Sequence, residues 1–403
     1  MSTVIRRRIL VVVPRLKVGG TERHLLQVLP RIDKHSHDVT VFTTRGAGSL
    51  DRELRAAGVA VVNTPQLLPG RLNAFVAFLH LCVYLVRHRP DLVHCFLPEA
   101  YIAGAPASLL VAEAKRVMSR RSLNDYQAKR PLSRPIEIWL HKRMDALIGN
   151  SRAVVEQLRH EGASDDRLGL IYNGTDTAAF AAADRDQARR RLGLPSDTLA
   201  LVIVATLYPY KGHADLLEAL ALAKDALPER WTLFVAGRDE GVERRLRAKA
   251  QRLGLDRHIV WLGETAAVAD LLRASDIGIL CSHEEGFPNA ALECMAAGLP
   301  MIVTPVGGSA EAVVDGETGR YVPPRDPQAL SRAITDLASD PERRRALGTA
   351  GRTRVERLFS IEACVAAYER LYDALLADRA ESVGSLFPSA AIDDRGDGTR
   401  VAQ

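Results

Sequence analysis

No apolar run in this chain is long enough to cross a bilayer. The longest, Leu72 to Val86, is interrupted by Asn73 and His80 and falls short of the roughly 20 residues that a spanning helix requires. Cysteine is scarce and scattered: Cys82, Cys95, Cys281, Cys294 and Cys364 form no Cys-x-x-Cys pair and no ligand-like cluster. That excludes a disulfide frame and points to reduced thiols in a cytoplasmic protein without a metal site. Aromatic residues make up only 5% of the chain. The basic residues are not interleaved with them and no recognition motif is present, so no nucleic-acid partner is expected. The sole Asp-x-Asp ahead of the C-terminal segment, Asp184-Arg185-Asp186, lies in a charged helical pattern with no strand before it, which reads as surface.

What the chain does have is length and ordinary globular composition. Its 403 residues, 47% apolar and 26% charged, exceed what one core usually supports, so two domains are expected. The apolar run Ile9–Val13 after Arg6 to Arg8 reads as a first strand, not as a secretory leader. Charge is uneven along the chain. Residues 1–177 hold 26 Lys+Arg against 16 Asp+Glu, a balance of +10, while the remainder holds 28 against 33, or −5. A basic first half suits an anionic partner, such as an acidic acceptor or a membrane surface.

Short β-rich runs alternate with helical patterns. Ile9–Val13, Val39–Thr43, Val59–Val62 and Leu92–Cys95 read as strands, separated by helices near Thr21–Leu29, Leu50–Ala57 and Leu72–His88. The series restarts with Leu199–Ala205, Thr232–Ala236, His258–Leu262, Ile277–Cys281 and Met301–Thr304. Strands alternating with helices imply parallel sheets with right-handed crossovers, so the fold class is α/β with two Rossmann-like domains and a cleft between them. The linker is placed near Asn173–Ala183. The domains expected are residues 1–175 and 176–358, a C-terminal helix within 359–380 packing back on the first domain, and an unstructured tail, 381–403, that lacks periodicity.

Three constellations fall at carboxyl ends of these strands, where ligands of open α/β sheets bind. Gly19-Gly20-Thr21-Glu22 follows the first strand and opens a helix, so backbone amides there can approach an anion. Lys211-Gly212 follows the strand ending at Ala205 and can offer a point charge to a phosphate. The third runs from Ser282 through Glu285, Phe287, Pro288, Asn289 and Ala290 to Glu293. Here Asn289 is expected to cap the helix Ala290–Ala297, and carboxylates eight residues apart can accept hydrogen bonds from sugar hydroxyls or act as acid and base.

Glu285 to Glu293 resembles the E-x7-E motif of retaining glycosyltransferases of family 4, which have the GT-B fold. Gly19 to Glu22 is similar to that family's GG-x-E loop, Asn150-Ser151 to its serine-containing segment, Asn173 to Asp176 to its NG-x-D linker, Lys211-Gly212 to its KG pair, and Gly307 to Glu311 to its GG-x-x-E loop. In this order the motifs cover nearly the whole chain. The resemblance implies that Glu285 contacts the transferred sugar and that Glu293 holds the nucleotide ribose. It further implies that Lys211 binds the diphosphate and that Gly19, Gly20 and Phe287 to Ala290 line the donor. It implies no cofactor and no metal, with a UDP- or GDP-sugar as co-substrate and a glycan or lipid-linked acceptor in cell-surface polysaccharide, lipopolysaccharide or glycolipid synthesis. Two positions depart from the family pattern. Thr206 stands where an arginine is usual, and Asn124 falls in a stretch that usually carries a histidine, leaving Glu22 and Asn124 as acceptor-side candidates. A nonhydrolysing epimerase or a phosphorylase of the same architecture is the alternative enzyme, although the first would lack the E-x7-E loop and the second needs a pyridoxal-phosphate lysine. A non-catalytic module that binds nucleotide sugar or glycan is the alternative without turnover.

Overall fold

The computed structural model describes residues 6–17, 19–123, 133–181, 184–377 and 382–388. Two all-parallel sheets organise them. The first contains β1 (Arg7–Val13), β2 (His37–Thr43), β3 (Ala60–Asn63), β4 (Leu92–Phe96), β5 (Lys115–Arg120), β6 (Ala146–Gly149) and β7 (Leu168–Leu170), in the order β3-β2-β1-β4-β5-β6-β7. The second contains β8 (Leu199–Val204), β9 (Trp231–Ala236), β10 (Ile259–Gly263), β11 (Ile277–Leu280), β12 (Met301–Val303) and β13 (Gly319–Tyr321), in the order β10-β9-β8-β11-β12-β13.

Helices cover both faces of each sheet, so the central strands are apolar along their length instead of alternating. In β1, Ile9, Val11 and Val13 enter one core and Leu10 and Val12 the other, and all five are buried. The second sheet divides in the same way: Leu201 and Ile203 of β8 face one core, Ala200 and Val202 the other. In each sheet the strand order reverses at the first strand, between β1 and β4 and between β8 and β11. That reversal opens a crevice at the carboxyl ends, where chain connections depart in opposite directions.

The chain passes between domains twice, side by side. Past β7, the Thr175 amide donates to Phe359 O at 2.9 Å, and the Ile361 amide donates back to Thr175 O at 3.0 Å. The helix Ile361–Leu376 then lies on the first domain, where Tyr368 and Tyr372 are fully buried. The Tyr372 hydroxyl meets His94 Nδ1 at 2.9 Å. Ser360 caps this helix by accepting from the Ala363 amide.

The segment after 381, expected from composition to be an unstructured tail, requires one correction. Val383–Leu386 forms a short helix capped by Ser382, and Val383 and Phe387 bury against the first-domain core. The Leu170 amide at the edge strand β7 donates to Phe387 O at 3.1 Å. An apolar pair four residues apart is enough to seat one turn of helix on a sheet edge, a signal too short for periodicity to show. Residues 389–403 lie outside the described residues.

Candidate active site

A cleft of about 710 Å³ runs between the carboxyl ends of the two sheets. Its walls include Gly19, Gly20, Glu22, Thr206, Lys211, Glu285, Phe287, Pro288, Asn289, Ala290 and Glu293, the residues singled out from the sequence. Asn124 lies outside the described residues; its neighbours Arg121, Ser122 and Leu123 form that part of the wall.

Two glycines bring the loops of Lys211 and Glu285 together. Gly212, at φ 74°, ends the turn carrying Lys211, and a Cβ there would sit 2.0 Å from Cys281 O at the end of β11. Gly307, at φ 52°, lets its loop lie against the backbone of Glu285, where a Cβ would stand 1.7 Å from the carbonyl oxygen. Only glycine satisfies both the left-handed conformation and the contact. The result is an ion pair between residues 74 positions apart: Lys211 Nζ donates to Glu285 Oε1 at 2.6 Å. Ser282 Oγ donates to the same oxygen at 2.7 Å. The pair is largely buried, with the Lys211 side chain 17% and the Glu285 side chain 9% exposed. Burial and the adjoining Glu285 push the Tyr210 phenol up from its ordinary range.

Glu293 stands inside the helix Asn289–Ala296. Burial pushes its carboxyl up to about 7, against the modest pull of Arg23. The Phe287 ring turns away into the core, 5.0 Å from the Tyr172 ring and 5.4 Å from that of Phe359, so Phe287 presents backbone to the cleft. Across the cleft, Gly19 is extended and precedes the helix Gly20–Val28, which it leaves without a side-chain cap. Burial raises the Glu22 carboxyl in its first turn, opposed by the nearby charges of Arg121 and Arg238.

Asn289 departs from the expectation. The helix begins one residue earlier than expected, Pro288 occupies the cap position, and no side chain caps the helix. The Asn289 amide is used instead across the cleft, donating from Nδ2 to Gly20 O at 3.0 Å and accepting at Oδ1 from Asn173 Nδ2. Asn173 Oδ1 in turn accepts from Arg121 at 2.6 Å. A chain of polar contacts thus fastens the Gly20 and Asn289 loops to each other; Asn173 was marked in the sequence only as part of the linker motif, and Arg121 was not a site candidate.

Glu311 is a second fastener. Its carboxylate accepts from the Arg152 amide at 3.0 Å, at the start of the first-domain helix Arg152–His160, and from Tyr172 Oη at 2.7 Å. Arg152 Nε approaches it at 3.3 Å. Removing the carboxylate strands several partly buried donors. Glu311→Ala is therefore expected to cost about 1–3 kcal/mol by equilibrium denaturation; an unchanged unfolding midpoint would remove the clasp.

The arginine missing at Thr206 has a neighbour in space. The Leu207 amide donates to Arg238 O at 2.9 Å, which places Arg238, just past β9, beside Thr206 on the cleft wall. Its Nε also pairs with Glu240 at 2.8 Å, and that bond is the main cause of its raised pKa. Lys17, Arg23 and Arg121 add positive charge on the first-domain side of the cleft. The Asp-x-Asp sequence is exposed, and Asp184 caps the helix Arg185–Arg191 through the amides of Asp186 and Gln187. Among the described residues, no three His, Cys, Asp or Glu side chains are grouped so as to hold a metal ion.

Two facing Rossmann-like domains, with a lysine–glutamate pair and a helix start opening on their shared cleft, define a GT-B glycosyltransferase. A family model described as Glycosyltransferase Family 4 matches residues 18–179, and one described as Glycosyl transferases group 1 matches residues 184–354. D-inositol 3-phosphate glycosyltransferase of Rhodococcus opacus is 30% identical over 359 residues, covering 82% of this chain and 80% of that protein. The Streptomyces scabiei protein of the same name is 29% identical, covering 89% and 87%. Anabaena HepE, solved with UDP and glucose, superposes with a TM-score of 0.81 at 22% identity over 91% of this chain and 99% of its own. Sucrose-phosphate synthase from Thermosynechococcus elongatus gives a TM-score of 0.77 at 23% identity, covering 93% and 100%. At these identities the two structures speak for the fold alone. The chain belongs to glycosyltransferase family 4, which decides for a glycosyltransferase over the epimerase, the phosphorylase and the non-catalytic module.

Proposed function

We propose that the protein moves a sugar, with retention of anomeric configuration and without a metal ion, from a UDP-sugar to a hydroxyl of an anionic acceptor, a glycan or a lipid-linked sugar. The observation carrying this reading is the Lys211–Glu285 pair in the cleft, set beside Glu293 and the uncapped start of the helix Gly20–Val28. Breaking a sugar–diphosphate bond leaves negative charge on the phosphate and develops positive charge near the anomeric carbon. Lys211 and Arg238 supply fixed positive charge for the first, and Glu285 negative charge for the second. UDP is taken as the first donor to test; Anabaena HepE, which shares the fold, was solved with it. An anionic acceptor is favoured by Lys17, Arg23 and Arg121 on the first-domain wall and by relatives named for an acceptor that carries phosphate. Five free thiols, four of them buried, support a cytoplasmic location.

A thermal-shift screen of UDP-, GDP- and ADP-sugars tests the donor. A ligand at about 100 times its dissociation constant adds roughly 2.7 kcal/mol, so the UDP-sugars should raise the melting temperature most. A preference for GDP- or ADP-sugars would overturn the base assignment. Arg238→Ala should lower turnover about tenfold, less than loss of Lys211, because Arg238 is shared with Glu240; turnover equal to wild type would leave Lys211 as the only side-chain cation on the phosphate.

A further inference from the structure

The first domain carries an apolar surface that sugar transfer does not use. The helix Asn73–His88 is apolar on two sides: Ala77, Leu81 and Leu85 face the core, while Phe75 (65% exposed), Leu79 (47%), Val83 (64%) and Val86 (54%) form a stripe facing solvent. A soluble helix normally shows water its polar side. The stripe continues into the preceding loop through Leu67, Leu68 and Leu72, all exposed. Asn73 holds that loop's backbone by accepting from the amides of Leu67 and Leu68 at 2.9 and 3.1 Å. Next to it packs the helix Pro98–Ser108, followed by exposed Leu110, and against that the helix Ser133–His141, with exposed Ile136 and Trp139.

Positive charge predominates at this face. Arg87, Arg89, Arg134 and Lys142 are exposed around it, and the Arg143 guanidinium stacks 3.5 Å from the centre of the Trp139 ring. The acids in and beside these three helices are engaged: Asp91 accepts from the Arg8 amide at 2.6 Å, Glu99 pairs with Arg45 at 3.0 Å, and Glu137 is buried against Arg120 at 2.8 Å. Glu113, in the connection between them, stands beside Lys115 and Arg116.

We propose that this face docks on an anionic membrane surface, with the apolar side chains entering the headgroup boundary and the arginines and lysines meeting lipid phosphates. Breadth favours lipid over a second copy of the chain. A helix pair needs one stripe, whereas here side chains from three elements and a loop share one face, rimmed by cations. Among the described residues, no helix is long and apolar enough to cross a membrane, so the contact lies on the bilayer. In a parallel sheet the crossover helices run back against the strands. The Leu67–Phe75 end of the stripe and the Ile136 turn therefore sit at the carboxyl edge, beside the cleft mouth. Arg87, Arg89, Lys142 and Arg143 lie at the helix ends on the opposite, amino edge, so the docked face runs from those cations to the cleft mouth and leaves the mouth beside the lipid, where a lipid-linked acceptor would present its sugar. The docking itself does not depend on which sugar is moved.

The test is cosedimentation of the full chain with phosphatidylcholine vesicles with and without phosphatidylglycerol. Binding is expected to the anionic vesicles, weakening as salt rises. Leu79→Glu/Val83→Glu should weaken it by about tenfold or more, and the milder Leu72→Ser/Phe75→Ser by less, because both remove apolar contact from the interface. Thermal stabilisation by UDP, read on the same variants, should stay at wild-type size and separates lost docking from lost fold or lost donor binding. Absence of binding at low salt overturns the proposal, as does equal binding by the variants. So does a wild-type dimer in light scattering that Leu79→Glu/Val83→Glu converts to monomer.

Discussion

Lys211→Ala is expected to lower turnover by roughly 10²–10³, about 3–4 kcal/mol of transition-state stabilisation. With Thr206 where an arginine would stand, the proposed mechanism puts the leaving diphosphate on Lys211, since Arg238 is partly engaged by Glu240. The ion pair gives this prediction a second part. Glu285 holds the Lys211 ammonium at 2.6 Å, so the two side chains act as one unit. Glu285→Gln should cut turnover comparably while leaving donor binding in place, because it releases Lys211 toward the phosphates. The double variant should be little worse than either single one, as groups that act together are strongly non-additive. Steady-state kinetics on the three variants check this; losses that multiply would mean that the residues work separately.

Glu293→Gln is expected to raise stability while lowering donor affinity. Burial lifts the Glu293 carboxyl from 4.5 to about 7. A carboxyl raised on folding stays neutral without cost below its unfolded pKa, and the folded state loses stability as pH climbs from there through about 7. Wild type therefore carries a poorly solvated charge at pH 8 that the glutamine variant lacks, a difference of at most about 3 kcal/mol, reduced by the side chain's opening onto the cleft. The variant should melt higher than wild type at pH 8, with the gap closing toward pH 5. If the ionised carboxylate accepts from ribose hydroxyls, the same change should cost about 1.5–3 kcal/mol of nucleotide affinity by titration calorimetry. Wild-type affinity should also rise with pH through about 7. An equal melting temperature at both pH values, or an unchanged affinity, would contradict this role.

The buried strands were legible because burial on both faces turns them into plain apolar runs, as in Ile9–Val13 and Leu199–Val204. The strand Lys115–Arg120 was not, since it carries charge at both ends: its terminal Arg120 is buried only because Glu137 and Glu161 bind it from two helices. Leu168–Leu170 and Gly319–Tyr321 are three residues each, too short to show a pattern. The loop motifs placed Glu285, Lys211 and Glu293 on one cleft because each follows a strand at its carboxyl end. What joins them was invisible in one dimension. Asn289 carries the composition of a helix cap, yet its amide reaches Gly20, 269 positions away. Arg121 and Arg238 are single cations among many until the sheets bring them to the same wall, and Arg238 offers only its place at the end of a strand as a signal.

The most direct test of the account is proton NMR of a running reaction with an α-linked UDP-sugar and a lipid-linked or phosphorylated acceptor in excess EDTA, following the anomeric signal of the first product. An α-linked product is expected to form as UDP is released, with the signal reduced at least about a hundredfold in Lys211→Ala. A β-linked first product, or no transfer until a divalent metal is restored, would contradict it.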